Sequence, residues 1–216
     1  MAKPTSELFD AALRVLAYLH RHRDIGLRYE ASTSPLKGQS DSDWAVKHST
    51  TGFLFVLNQA TVSWASKRQP TVALSSCEAE IMAGSEAAKE AISISALSRE
   101  LGLLDDSPID LSMDNRSAID VAHNPEHFGR MKHVARRHFF VRELVEQQRI
   151  VVPYVATDDN LADFFTKPLL AKKFFAMRNS IMNYSFPTAS AEPGFGSRGG
   201  VEGSEPSPAH GDSVAP

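Results

Sequence analysis

Hydrophobic and polar positions along the chain predict a series of helices and strands. The N-terminal part, residues 5–23, has apolar side chains at helical spacing: Leu8, Ala12, Val15, Leu16 and Leu19. This spacing predicts an amphipathic helix with Thr5 or Ser6 as its N-cap. A short extended segment over residues 27–29 and a polar linker at residues 32–35 follow it.

Strand patterns come next and then alternate with helices. Strands are predicted over residues 36–45, 51–57 and 61–66, with a turn at Asn58-Gln59-Ala60 between the last two. A long helix should run from Ser75 to about residue 101. The elements predicted after it along the chain are a strand over 109–113, a short helix over 117–123, a basic helix over 131–147, a strand over 150–155 and a helix starting at 161–165. This order predicts an α/β fold, a mixed sheet with helices packed on it.

Composition and charge restrict the class of protein. The 216 residues suffice for one globular domain with an extension, and residues 185–216, rich in Pro, Gly, Ser and Ala, are predicted to be disordered. The single cysteine, Cys77, excludes an internal disulfide and a zinc site of several thiolates. Because the net charge is −3, the protein as a whole does not attract nucleic acid, and only local basic clusters could bind it. No apolar run is long enough to span a membrane, so we expect a soluble intracellular protein or a released piece of a polyprotein.

Acidic residues lie where the predicted strands end or helices begin. Asp41 and Asp43 occur in the first strand, Glu80 near the start of the long helix, Asp114 at the end of a strand and Asp163 at a helix start. Active sites of mixed sheets gather at such positions, and several carboxylates tolerate one another there if a cation shares the site. Oxygen-only ligands favour Mg²⁺ or Mn²⁺. Spacing alone leaves open whether these acids form a metal site.

Two glutamates, Glu78 and Glu80, begin the long helix with different expected roles. Ser75 and Glu78 have the spacing of a capping box, in which Glu78 turns back to the exposed amides of the first turn. Glu80 points to another side and shares a stripe of small residues: Ala83, Gly84, Ala87 and Ala91. These small residues would let the helix approach the sheet closely and bring Glu80 towards Asp41 and Asp114.

Six motifs together closely resemble one family. In order they are SDSDWA, STTGFLFVL, VSWASKRQPTVALSSCEAE, MDNRSAI, KHVARRHFFVRE and DDNLADFFTKPL. They resemble the ribonuclease H domain at the C-terminus of copia-type retrotransposon Pol polyproteins. The resemblance implies a ribonuclease H-like fold, with a mixed five-stranded sheet flanked by helices. It also implies metal-dependent cleavage of the RNA strand of RNA–DNA hybrids.

The resemblance also implies which residues do the chemistry. The catalytic and metal-binding acids would be Asp41, Glu80, Asp114 and Asp163, holding two Mg²⁺ (or Mn²⁺) ions, with Asp43 the weaker alternative to Asp41. Ser76 and Asn115 would contact the nucleic-acid backbone. The histidine that cellular ribonucleases H carry before the last aspartate is absent from YVATDDNLAD.

Partners and domains follow from the same resemblance. We expect an RNA–DNA hybrid as the substrate and an upstream reverse-transcriptase domain as a possible partner. We expect no association with a membrane, and a location in the cytoplasm within virus-like particles or in the nucleus. The implied domains are 1–35 (end of the reverse-transcriptase/connection region), 36–168 (ribonuclease H-like), 169–184 (C-terminal helix) and 185–216 (tail). The alternative is a catalytically silent remnant that binds nucleic acid or a partner.

Trp44 and Trp64 are expected in the core.

Overall fold

The computed structural model describes residues 5–45, 47–123 and 135–185. Within them, five strands form one sheet in the order β3-β2-β1-β4-β5. The first three strands are antiparallel neighbours, whereas β4 is parallel to β1 and β5 is parallel to β4. The strands are β1 (Lys37–Asp43), β2 (Thr50–Leu57), β3 (Ala60–Arg68), β4 (Ile109–Ser112) and β5 (Ile150–Val151). This mixed five-stranded sheet confirms the predicted α/β, ribonuclease H-like fold.

Helices follow the predicted order in the described residues. They are α1 (Ser6–Arg21), α2 (Ser76–Glu100), α3 (Arg116–His123), α4 (Ala135–Glu146) and α5 (Ala171–Met182). Two 3₁₀ helices, Thr157–Asp159 and Leu161–Phe165, precede α5. Residues 131–134 of the predicted basic helix and residues 186–216 of the predicted tail lie outside the described part. None of the described helices is both long and apolar enough to cross a bilayer.

The last strand is shorter than the sequence pattern predicts. The prediction extends from residue 150 to residue 155, but β5 ends at Val151. Pro153 has no amide hydrogen to donate, which interrupts regular pairing at that point. Pairing resumes as one parallel bridge between Met113 and Tyr154, with the Val155 amide donating to the Met113 carbonyl at 2.9 Å.

Each face of the sheet is covered by its own hydrophobic cluster. On one face α2 and α4 cover buried side chains of the strands, including Phe53, Phe55 and Leu111. On the other face the second 3₁₀ helix and α5 cover Leu54. The small residues of α2 are buried as predicted, and a Cβ on Gly84 would meet the Met113 side chain at 2.0 Å. This close approach brings the start of α2 to the end of β1.

The β2–β3 turn explains why two non-glycine residues have left-handed backbones. Asn58 and Gln59 have φ values of 52° and 70°. Two such residues form the tight turn whose twist matches that of a β-hairpin. The extended segment before β1 is fixed partly at this turn, because the Glu30 amide donates to the Asn58 carbonyl at 3.1 Å. It stays outside the sheet.

The prediction that Trp44 and Trp64 belong to the core is wrong. The side chains are 61% and 54% exposed. Trp44 follows the end of β1, and its indole Nε1 donates to the Ala73 carbonyl at 3.3 Å. Trp64 lies on β3, which forms an edge of the sheet that the described residues build. His123 is exposed, and its Nδ1 lies 2.8 Å from the Ile119 carbonyl.

The start of α2 has the predicted cap, and it provides a test of Glu78. The Ser75 hydroxyl accepts from the Glu78 amide at 3.1 Å, while the buried Glu78 accepts from the Leu74 amide at 2.8 Å. Glu78→Gln removes the charge that complements the helix dipole, so we expect a loss of about 1 kcal/mol in unfolding free energy, measured by urea denaturation. Any cleavage activity should persist. A loss of activity without loss of stability would show that Glu78 belongs to the chemistry.

Candidate active site

Two aspartates come together because β1 and β4 are parallel neighbours. In their register, Gln39 pairs with Ser112. Continuing this register by two residues sets Asp41 opposite Asp114, which lies just beyond β4. Opposed residues on neighbouring strands project from the same face, so the two carboxylates meet at the C-terminal edge of this strand pair.

The third carboxylate, that of Glu80, comes from the second turn of α2. Its Oε1 accepts hydrogen bonds from the backbone amide and the hydroxyl of Ser42, each at 3.0 Å. Its Oε2 is buried and has no hydrogen-bond partner among the described residues. A buried carboxylate oxygen without a donor is costly unless a proton or a cation reaches it. Ser42 thus holds one oxygen of Glu80 and leaves the other free for a ligand.

Asp41, Glu80 and Asp114 form a compact acidic cluster. One carboxylate oxygen of each residue lies within 4.8 Å of one oxygen of each of the other two, with Asp41 and Glu80 buried and Asp114 half-buried. Burial, and after it the charge of Asp41, raise the pKa of Glu80 to about 8. Burial also raises the pKa of Asp41. At neutral pH Glu80 therefore carries a proton unless a cation replaces it.

The donor set of this cluster fits the metal that the sequence predicts. All three donors are carboxylates, which hard divalent cations such as Mg²⁺ and Mn²⁺ prefer. The Oε2 of Glu80, unpartnered among the described residues, supplies a buried oxygen that a cation would hold in place of the proton. The three residues would thus hold one ion.

The segment that contains Asp163 is fastened to β1. Asn160 is fully buried, and its Nδ2 donates to the Ser40 carbonyl at 3.1 Å. One residue further, the Leu161 amide donates to Oε1 of Gln39 at 2.7 Å. Both contacts join residues more than a hundred positions apart. They place the second 3₁₀ helix beside the acidic cluster.

Asp163 is buried next to this cluster but pairs with lysines. Its Oδ1 lies 2.6 Å from Nζ of Lys167, and its Oδ2 lies 3.0 Å from Nζ of Lys173. Lys167 also reaches Oδ1 of Asp41 at 3.3 Å, and the Thr166 hydroxyl donates to Oδ2 of Asp41. Burial lowers the pKa of Lys167, but the hydrogen bond to Asp163 and the charge of Asp41 raise it overall. The role of Asp163 as a fourth ligand stays a prediction.

The other predicted site residues have structural contacts of their own. Asp43 accepts a hydrogen bond from the Thr50 amide at the end of the β1–β2 pair. Asn115 accepts from the Ala118 amide at 3.1 Å and so caps α3. Ser76 is the exposed first residue of α2. The structure thus brings Asp41 rather than Asp43 into the cluster and leaves the contacts of Ser76 and Asn115 with nucleic acid as predictions.

Sequence reasoning missed several residues that shape the site. Ser42 orients Glu80, Gln39 and Asn160 fasten the last segment, and Thr166 and Lys167 contact Asp41. Most of these contacts span long distances in sequence and carry no local signal. Lys167 is the exception, because it follows Asp163 by four residues, a spacing at which opposite charges meet on one side of a helical turn.

Comparison with known proteins reveals clear relatives. No protein-family model matches the chain. The Pol polyprotein of transposon TNT 1-94 from Nicotiana tabacum is 35% identical over 178 residues, covering 81% of this chain and 13% of the polyprotein. That of transposon RE2 from Arabidopsis thaliana is 37% identical over 174 residues, covering 78% and 12%. The chain thus spans about an eighth of the length of these relatives.

Solved structures with a similar backbone include one bacterial domain. The N-terminal ribonuclease H domain of Rv2228c from Mycobacterium tuberculosis, solved as a fusion with maltose-binding protein, matches with a TM-score of 0.46 and 12% identity. The match covers 68% of this chain and 97% of that chain.

Proposed function

We propose that the chain is the ribonuclease H-type segment of a copia-type retrotransposon Pol polyprotein and that it hydrolyses the RNA strand of RNA–DNA hybrids. The observation that carries this proposal is the cluster of Asp41, Glu80 and Asp114. Its buried, unpartnered Glu80 oxygen distinguishes it from a surface patch of acids. We assign Mg²⁺ or Mn²⁺ as the cofactor, with two ions in the active state.

Each residue of the site has a defined task in this proposal. Divalent ions bound there would supply activation of a water molecule and stabilisation of the departing oxygen of the phosphodiester. Asp41 and Asp114 bind and orient, since the parallel strands fix both. Glu80 would give up its proton to hold a cation and would offer the oxygen that Ser42 leaves free. Ser42 keeps Glu80 in this orientation by its two hydrogen bonds.

The substrate would be held mainly through its backbone. Ser76 and Asn115 lie at the starts of α2 and α3, where helix N-termini suit phosphate groups. Contacts of this kind position a duplex without reading its sequence. Recognition of the RNA strand would require a contact with its 2′-hydroxyl, for which Glu80 is the candidate. The hybrid would come from a reverse-transcriptase domain of the polyprotein, in the cytoplasm within virus-like particles or in the nucleus.

A panel of duplexes tests the proposal. With Mg²⁺ present, the chain should cut the RNA strand of an RNA–DNA hybrid and leave duplex DNA of the same sequence intact, because only the RNA strand carries 2′-hydroxyls. Gel analysis should show 5′-phosphorylated RNA fragments. Binding of the hybrid without cutting would instead favour the catalytically silent binding module. Equal cutting of both duplexes would contradict the assignment of the RNA strand as substrate.

A further inference from the structure

The ammonium group of Lys167 lies between two carboxylates of the candidate site. Its Nζ is 2.6 Å from Oδ1 of Asp163 and 3.3 Å from Oδ1 of Asp41. A carboxylate oxygen from each residue faces the same positive charge, as both would face a bridging cation. Both aspartates are buried, whereas the Lys167 side chain is 35% exposed and can swing outwards. Lys167 thus occupies a cation position and has a way to leave it.

The position of Lys167 follows from its backbone. The amides of Thr166 and Lys167 both donate to the Asp163 carbonyl, at 3.2 Å and 3.1 Å. This turn sets Lys167 above Asp163, and the Thr166 hydroxyl ties the same turn to Asp41. Close packing holds the turn in place, since a Cβ on Gly52 of β2 would meet the Thr166 side chain at 2.5 Å. The lysine is therefore built into the site rather than placed there by a free surface side chain.

The charges of the site balance differently with and without Lys167. Asp41, Glu80, Asp114 and Asp163 carry four negative charges when ionised, and Lys167 and Lys173 carry two positive ones. One divalent ion at the Asp41–Glu80–Asp114 cluster would neutralise the two negative charges that remain. A second ion between Asp41 and Asp163 would face an ammonium group at contact distance, which is strongly repulsive where water is largely excluded.

We propose that Lys167 is a built-in counter-cation that limits the free protein to one divalent ion and yields its place between Asp41 and Asp163 to the second. Lys167 is thus a positioning residue that holds the two aspartates together before the second ion arrives. The proposal rests on the proposed metal-dependent function. It makes entry of the second ion depend on displacement of Lys167, which the phosphate of a bound substrate would assist by offering the ammonium a new partner.

Manganese titration of the protein without substrate tests this directly. The bound fraction is followed by the loss of the electron paramagnetic resonance signal of free Mn²⁺. The wild type should bind one ion tightly, and Lys167→Met should bind two, with the second dissociation constant lowered about tenfold or more. Lys167→Arg, which keeps the charge, should restore the wild-type number. Lys172→Met is the matched control, because Lys172 is an exposed lysine on α5 and should behave as the wild type.

Each outcome supports or overturns the proposal. Two tight ions in the wild type, or unchanged binding in a folded Lys167→Met variant, would overturn it. If no variant binds Mn²⁺, both this proposal and the metal site fail; if one ion binds to every variant, only this proposal fails. Should Lys167→Met not fold, acetylation of the wild type followed by mass spectrometry replaces it. Mg²⁺ at a concentration that fills only the first site should then leave the acetylation of Lys167 relative to Lys172 unchanged, and a higher concentration that forces in a second ion should increase it. An unchanged ratio at every concentration would overturn the proposal.

Discussion

Glu80→Gln is expected to make the metal-free protein more stable while it removes cleavage. Burial, followed by the charge of Asp41, raises the pKa of Glu80 from 4.5 to about 8. The folded state therefore holds this proton more tightly than the unfolded chain does, and stability falls as the pH rises from about 4.5 to about 8. Glutamine resembles the protonated acid and does not ionise, so the variant avoids this loss. It also lacks the charge that a cation needs.

Urea denaturation in the presence of EDTA, at pH 5 and pH 8, measures this effect. At pH 8 the unfolding free energy of Glu80→Gln should exceed that of the wild type by about 1–3 kcal/mol, and at pH 5 the difference should be smaller. Mg²⁺ should stabilise the wild type but not the variant. Glu86→Gln, an exposed change on the same helix, should stay within about 0.5 kcal/mol of the wild type. Equal pH dependence in wild type and Glu80→Gln would contradict the buried proton.

Asp114→Asn is expected to reduce hybrid cleavage about a thousandfold or more while the fold stays intact. The change keeps the shape of the side chain and removes one charge from the three carboxylates that would bind the cation. Asp114 is half-buried beside Asp41 and Glu80, so losing its charge relieves repulsion and should change stability by no more than about 1 kcal/mol. Circular dichroism and urea denaturation check the fold. Asp120→Asn, on the exposed side of α3, should retain full cleavage.

Local patterns along the chain predict most of the fold. The alternation of apolar residues around the Asn58-Gln59 turn predicts the β2–β3 hairpin, and both turn residues have the left-handed backbone that such a turn needs. The spacing of Ser75 and Glu78 predicts where α2 begins, and the small residues behind Glu80 predict its close approach to the sheet. These features depend on neighbours within one or two turns of the chain, which a single sequence shows directly.

The acidic cluster could be predicted in part. The ends of parallel strands meet at one edge, so strand assignment alone makes Asp41 and Asp114 candidates for contact. The stripe of small residues on α2 and the resemblance both add Glu80. The choice between Asp41 and Asp43 needed the structure, because the two side chains share a face of β1. Only the register shows Asp41 opposite Asp114, while Asp43 bonds to the Thr50 amide at the end of the hairpin.

The contacts around Asp163 could not be predicted from the sequence. Lys167 and Thr166 meet Asp41 across 126 and 125 positions, and such pairs have no periodic signal. The exposure of Trp44 and Trp64 was also missed, because large aromatic side chains are usually buried and their surroundings depend on which strand forms the edge of the sheet. In both cases the outcome depends on tertiary packing of distant segments.

The central claim is that Asp41, Glu80 and Asp114 form the catalytic centre of a metal-dependent ribonuclease H. The most direct test is the rate at which the wild type and Asp114→Asn, side by side in Mg²⁺, cut the labelled RNA strand of an RNA–DNA hybrid. We predict rapid cutting by the wild type, none in EDTA, and a rate lower by about a thousandfold or more for Asp114→Asn. A folded wild type that cuts no faster than folded Asp114→Asn would contradict the claim.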